Sequence, residues 1–155
     1  MSVESCIARD HVEAELEAAQ AWARRHNWAL RWEPDVLRLC AISFHPHCGR
    51  VLEIRGDFDS YRAMPPAWRF FAPNTDEEGA HLFPKGGPDG SIFHGNLVIC
   101  APWNRLAYKG YANLHGDWDL SAWSSIHGTM SQARTVADML SEIDVNLNTS
   151  PGMSG

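Results

Sequence analysis

Cys100 is the residue whose type and setting most directly suggest covalent chemistry. It ends a short apolar run at 97–99, follows a glycine-rich turn at 86–90, and is followed closely by Pro102. Proline stops regular structure just beyond the cysteine, which indicates a thiol presented at the mouth of a loop. A free thiol has a pKa of roughly 8.5, so a modest perturbation gives usable thiolate. We therefore predict a nucleophile; the alternative is a buried small hydrophobic residue.

Polar residues on both sides of Cys100 could assist it. His94 and Asn96 share its parity, so in an extended segment all three side chains would face one side. An imidazole and an amide can orient a thiol or stabilise an oxyanion. His115 and Asp117 could supply a general base or position an incoming amine. The alternative for this second pair is a polar loop that caps a helix.

His45, His47 and Cys48 form a further constellation that could ligate zinc, with Cys100 or His94 completing four ligands. Zinc sites usually show paired ligand clusters, whereas one cluster occurs here. The sequence also lacks a P-loop, a dinucleotide-binding glycine pattern and a Ser-His-Asp spacing. We therefore predict a strand-ending turn with surface histidines, no metal and no other cofactor.

The composition is that of an ordinary globular domain. Apolar residues make up 45% and charged residues 21% of the 155 residues, which predicts one domain over 1–148 with a flexible tail at 149–155. The net charge of −6 argues against a nucleic-acid binder. No apolar run approaches the roughly 18 residues that span a membrane, and the N-terminus does not look like a signal peptide. We expect a cytoplasmic protein with four free thiols.

The elements that position these residues follow from hydrophobic periodicity. Val12, Leu16, Ala19 and Ala23 recur at helical spacing and predict a helix over 5–26. Short apolar runs separated by turn residues then predict a four-stranded antiparallel meander, with strands at 28–32, 36–44, 51–54 and 68–71.

The C-terminal part predicts one more long helix, over 126–147, capped by Ser125 or Thr129. Its apolar residues recur at helical spacing: Ile126, Met130, Ala133, Val136, Leu140, Ile143 and Leu147. The order of helix, meander, long loop with cysteine, and helix predicts an α+β domain.

This order resembles the ubiquitin-conjugating enzyme (E2) family, and looks most like the compact prokaryotic E2-like proteins. In that family an N-terminal helix precedes a four-stranded meander, and a Pro-Pro pair introduces the last strand, as Pro65-Pro66 does here. A long irregular segment then ends in a Gly-x-Ile-Cys type motif, whose place is held by 96–100. A tryptophan, here Trp118 or Trp123, precedes the long helix. The resemblance covers residues from about 5 to 148 and implies a UBC-like fold.

The chain departs from the family in one motif. The family's His-Pro-Asn tripeptide lies well before the cysteine, where this chain has Gly90-Ser91-Ile92. The nearest candidate, the tripeptide at 94–96, lies closer to Cys100. The further C-terminal helices of eukaryotic members are also absent, as they are in the compact prokaryotic relatives.

The resemblance implies that Cys100 accepts a ubiquitin-like protein from an E1-like adenylating enzyme as a thioester and passes it to an amine of a target protein. By analogy the first helix would dock the E1-like enzyme. The family context is prokaryotic operons, often with a JAB-type peptidase, associated with phage defence. The implied partners are proteins, with no nucleic acid and no membrane.

Two alternatives remain open. The missing His-Pro-Asn tripeptide favours an inactive E2-like module that binds a ubiquitin-like protein without forming a thioester. The other is an unrelated cysteine hydrolase, or a zinc protein built on His45, His47 and Cys48.

Overall fold

The chain begins with helix α1, Val3–His26, in a computed structural model that describes residues 1–129 and 131–155. Ser2 caps the helix, since its hydroxyl accepts the N–H of Ser5 at 3.0 Å. Asn27 ends it in the left-handed conformation, with φ at 61°. The predicted helix is therefore confirmed. Its buried face is made by Ala8, Val12, Ala19, Trp22 and Ala23.

The four-stranded antiparallel meander is also confirmed. Neighbouring strands pair in the order β1-β2-β3-β4. Their bounds are Ala29–Glu33 for β1, Arg38–Phe44 for β2, Val51–Asp57 for β3 and Ala67–Phe71 for β4. One face of the sheet joins α1 in a common hydrophobic core through Leu39, Ala41, Ile54, Trp68 and Phe70.

The outer edge of β4 is covered at both of its ends. The side-chain oxygen of Asn104 accepts the N–H of Trp68 at 2.9 Å, and the carbonyl of Glu77 accepts the N–H of Ala72 at 3.0 Å. N–H groups of alternate residues in a strand point to the same edge. The peptide of Phe70, between these two covered positions, therefore also faces outward.

Helix α2, Val136–Thr149, is shorter than the helix predicted over 126–147. Gly128 lies inside the predicted span with φ at 75°, which an α-helix does not accommodate. The true cap is Thr135, whose hydroxyl accepts the N–H of Asp138 at 3.2 Å. The predicted caps at Ser125 and Thr129 are therefore wrong. Met130, part of the predicted pattern, lies outside the described residues.

Polar contacts join α1 to α2 and to the loop after β3. The carboxylate of Glu15 accepts hydrogen bonds from the Tyr61 hydroxyl at 2.9 Å, the Arg62 guanidinium at 3.1 Å and the N–H of Val136 at 2.8 Å. A carboxylate at the start of α2 also complements the positive end of the helix dipole. Within residues 1–129 and 131–155, no helix has the length and apolar character needed to cross a membrane.

The C-terminal residues 150–155, here called the strap, are paired with the loop that precedes the cysteine segment. The N–H of Lys85 donates to the carbonyl of Gly152 and that of Ser154 to the carbonyl of Phe83, both at 2.8 Å. Pro84 and Met153 form an antiparallel bridge between these two hydrogen bonds. The prediction of a flexible tail at 149–155 thus missed a segment that is bound to the domain.

Candidate active site

Cys100 is held from its N-terminal side by backbone contacts. Phe93 and Ile99 form an antiparallel bridge, and the N–H of Cys100 donates to the carbonyl of Ile92 at 2.8 Å. All three apolar residues are buried, whereas Cys100 itself is partly exposed. Cys100 therefore follows a segment that is held by backbone hydrogen bonds, and the residue as a whole is partly exposed.

Asn104, which sequence reasoning passed over, fixes the chain around Cys100. Its side chain is fully buried and donates to the carbonyl of Ile99 at 2.8 Å, while its oxygen accepts the N–H of Trp68. Its backbone N–H donates to the carbonyl of Ala101 at 3.0 Å. One amide side chain thus ties the peptide before the cysteine to strand β4.

Arg105 extends this connection to the Pro65-Pro66 pair. Its N–H donates to the carbonyl of Pro66 at 2.9 Å and its Nε to the carbonyl of Pro65 at 3.1 Å. The guanidinium also pairs with the Asp59 carboxylate at 2.8 Å. The start of β4 and the cysteine loop are therefore in direct contact, although they are far apart in the sequence.

Burial raises the pKa of the Cys100 thiol above its ordinary value. Among contacts within residues 1–129 and 131–155, its Sγ atom makes no hydrogen bond that would stabilise the thiolate. The thiolate fraction at neutral pH is therefore below that of a free cysteine. A reaction at this thiol requires a base, from this chain or from a partner.

We predict that the alkylation rate of Cys100 by iodoacetamide still rises above pH 9.0, beyond the pKa of a free thiol, because burial disfavours the thiolate. Mass spectrometry of the Cys100 peptide between about pH 6 and about pH 10.5 measures the rate. Cys40 is the internal control. It is buried, donates to Glu33 and has a pKa raised to about 11, so it should react more slowly still. A plateau for Cys100 near pH 8 would contradict the prediction.

His94 and Asn96 lie on an exposed turn rather than on an extended segment. The N–H of Leu97 donates to the carbonyl of His94 at 3.0 Å, and Leu97 has φ at 64°. The parity argument that put both side chains on the same side as Cys100 is therefore wrong. Both residues are exposed, one closed turn away from the thiol. Their catalytic roles stay predictions.

His115 and Asp117 lie close to each other, and His115 packs on Trp118. The imidazole of His115 stacks on the Trp118 ring at 3.7 Å between centroids, and its Nδ1 lies 3.9 Å from the Asp117 carboxylate. Asp117 is largely exposed. Within the described part of the chain, no hydrogen bond or ion pair joins either residue to Cys100. Their roles in amine positioning also stay predictions.

Three ring nitrogens of the candidate zinc cluster make hydrogen bonds within the protein. His45 uses both ring nitrogens, with the N–H of His47 at 3.1 Å and with the Ser150 hydroxyl at 2.8 Å. The His47 ring donates to the carbonyl of Asn148 at 2.8 Å, and Cys48 is exposed. Across residues 1–129 and 131–155, no group of three His, Cys, Asp or Glu side chains could hold a metal ion. The zinc alternative has no support in this geometry.

A groove of about 580 Å³ opens between the outer edge of β4 and the loops around Cys100. Trp68 and Phe70 line the groove on the side of β4. Leu97 and Val98, which precede Cys100 in the chain, line it on the side of the cysteine loop. Tyr111 belongs to its lining as well. The groove is largely apolar, and its lining includes Val98, two residues before Cys100 in the chain.

The fold and the site define an α+β domain with a partly exposed Cys100, and Leu97 and Val98, which precede it in the chain, line an apolar groove. Comparisons with protein-family models, curated proteins and solved structures found no match for this chain. A functional proposal therefore depends on the geometry around Cys100 and on the order of elements.

Proposed function

We propose that this protein is an E2-like conjugating enzyme, with a UBC-like fold, that carries a ubiquitin-like protein as a thioester on Cys100 and transfers it to a target amine. The main support is the contact of the Cys100 loop with Pro65-Pro66 through Arg105. These are the two points at which the sequence most resembles the family. Their contact in space supports the proposal that they belong to one site.

The chemistry is two successive acyl transfers. The Cys100 thiolate attacks the thioester carbon of a modifier carried by an E1-like enzyme, and the tetrahedral oxyanion collapses with release of the E1 thiolate. A target amine then attacks the new thioester, Cys100 leaves as a thiolate, and a base removes the proton from the amine nitrogen. Because the pKa of Cys100 is raised, its thiol must first give its proton to a base, and the E1 thiolate that is released can take up a proton in turn.

The remaining residues have roles that agree with their exposure. His94 and Asn96, on the exposed turn before Cys100, would contact the oxyanion once the modifier is bound. His115 and Asp117 would position the incoming amine. The apolar groove, which Leu97 and Val98 line just before Cys100 in the chain, would hold the extended C-terminal segment of the modifier.

The partners of this proposal are proteins of one conjugation pathway. The E1-like enzyme would dock on the start of α1, where Val3 and Ile7 are 77% and 50% exposed. Exposed apolar side chains of this kind mark interaction surfaces when they are grouped. We propose that the pathway is prokaryotic, cytoplasmic and linked to phage defence, as in the compact E2-like proteins that the chain resembles.

The test is thioester formation with the E1-like enzyme, its modifier and ATP, followed on a non-reducing gel. The wild type is expected to form an adduct that dithiothreitol removes, and Cys100→Ala is expected to form none. Cys48→Ala is the matched control, because Cys48 is exposed and lies outside the site, and it should behave as the wild type. A reducible adduct on Cys100→Ala, or none on the wild type, refutes the proposal.

One observation favours a second function, an inactive E2-like module that binds the modifier without a covalent bond. The Cys100 thiol has a raised pKa and, among the described residues, no hydrogen bond that would activate it. Titration of the modifier against the wild type and Cys100→Ala separates the two functions. Equal affinities, together with no adduct in the presence of the E1-like enzyme, would favour the binding module.

A further inference from the structure

His45 is a fully buried histidine whose protonation state is fixed by its two neighbours. Its Nδ1 accepts the backbone N–H of His47 at 3.1 Å, so that nitrogen carries no proton. Its Nε2 therefore carries the proton of the neutral ring and donates it to the Ser150 hydroxyl at 2.8 Å. This arrangement accommodates only the neutral imidazole.

Ser150 passes the contact on to the strap. Its hydroxyl donates to the carbonyl of Gly152 at 3.0 Å, and that carbonyl also accepts the N–H of Lys85 at 2.8 Å. Ser150 is itself fully buried. The hydrogen bonds of His45 thus end on the same carbonyl that holds the strap against the loop before the cysteine segment.

The chain that leads to Cys100 is packed closely against the end of α2, next to the strap. A Cβ atom at Gly87 would lie 2.7 Å from the carbonyl oxygen of Thr149, just before the strap. A Cβ atom at Gly86 would lie 2.7 Å from the carbonyl oxygen of Phe93, which pairs with Ile99. The loop at 83–87 therefore contacts the strap through Phe83 and Lys85, and it contacts the backbone of Phe93 through Gly86.

We propose that His45 is a pH-sensitive lock on the C-terminal strap, closed when the ring is neutral and released when it is protonated. A protonated ring would point an Nδ1–H at the N–H of His47, donor against donor. It would also place a charge in a fully buried position. Release of the strap would give the ring access to water and remove both penalties.

Burial and the neighbouring charge both favour the neutral form of His45. Burial lowers its pKa from 6.5, and the neighbouring His47 lowers it further. A folded-state pKa below the ordinary value means that the open state binds the proton more tightly. Closure is therefore most stable above about pH 6.5 and weakens as the pH falls from there towards the folded-state pKa. The surrounding elements carry further charged or titratable groups: Cys48, Arg50 and Lys85 in the loops, Arg38 in β2, Glu53, Arg55 and Asp57 in β3, and Asp138, Glu142 and Asp144 in α2.

The experiment is hydrogen–deuterium exchange of the Lys85 and Ser154 amides, expressed as protection relative to the intrinsic rate at each pH. For the wild type we expect protection to fall about threefold or more between about pH 7.5 and about pH 5. His45→Gln keeps a neutral polar side chain that does not titrate, and it should show no such fall. His47→Gln is the matched control and should keep the fall.

A second variant keeps the test decisive where His45→Gln folds poorly. Ser150→Ala removes the hydroxyl between His45 and Gly152, so strap protection at about pH 7.5 should already be several-fold lower than in the wild type. Wild-type protection that does not change with pH overturns the proposal. So does an unchanged pH dependence in His45→Gln, or unchanged protection in Ser150→Ala.

Discussion

Replacement of Asn104 by leucine is expected to lower the free energy of unfolding by about 2 to 6 kcal/mol. The change leaves the carbonyl of Ile99 and the N–H of Trp68 without their partner, and each buried polar group left unpaired costs about 1 to 3 kcal/mol. Leucine has a similar volume, so loss of hydrogen bonds rather than a cavity dominates. Urea unfolding followed by tryptophan fluorescence gives the value.

Asn148→Leu is the matched control for this prediction. Asn148 is exposed in α2, where surface substitutions usually change stability by no more than about 0.5 kcal/mol. The two variants make the same chemical exchange at a buried and an exposed asparagine. If Asn104→Leu costs no more than Asn148→Leu, Asn104 does not hold the cysteine loop to β4.

Gly86→Ala is expected to destabilise the domain by about 1 to 3 kcal/mol, the usual cost of forcing an extra methyl group into a packed site. The new Cβ atom would lie 2.7 Å from the carbonyl oxygen of Phe93, which is backbone and cannot rotate away. Phe93 is held in turn by Phe70 and Phe83, at ring distances of 5.8 Å from each. The strain is therefore not relieved by a single side-chain movement.

Gly95→Ala provides the comparison, since nothing lies within 4 Å of a Cβ atom at Gly95. Both substitutions reduce the freedom of the unfolded chain equally, so their difference reports packing in the folded state alone. We expect Gly95→Ala to be neutral or slightly stabilising in the same urea experiment. Equal stabilities for the two variants would show that Gly86 is not packed as described.

The sequence predicted those parts of the fold that depend on local periodicity. The buried face of α1 repeats at Val12, Ala19 and Ala23, and the strands are short apolar runs bounded by turns. These patterns are local, so they can be recognised in the sequence without knowing which residues each face contacts. The same periodicity misled the C-terminal prediction, because Ile126 and Ala133 fit a helix that Gly128 interrupts. The Thr135 cap followed by Asp138 was the available signal for the true start.

The candidate site was harder to predict, because its geometry depends on contacts between distant segments. Leu97 adopts a positive φ of 64°, which is rare for leucine, and no local sequence pattern predicts this conformation. Asn104 looks like an ordinary loop asparagine until its partners, Ile99 and Trp68, are brought to it by the fold. Cys100 could be singled out from sequence; the residues that hold it could not.

The covered edge of β4 has a consequence for association between molecules. An uncovered edge strand is a template on which another chain can add a strand, the usual first step towards aggregates. Here the Asn104 side chain occupies one end of the edge and the carbonyl of Glu77 the other, so only the peptide of Phe70 remains between them. A ladder of one residue is too short to hold a second copy. The side chain of Asn104, which positions the cysteine loop, thus also prevents a second copy of the protein from pairing with this edge of the sheet.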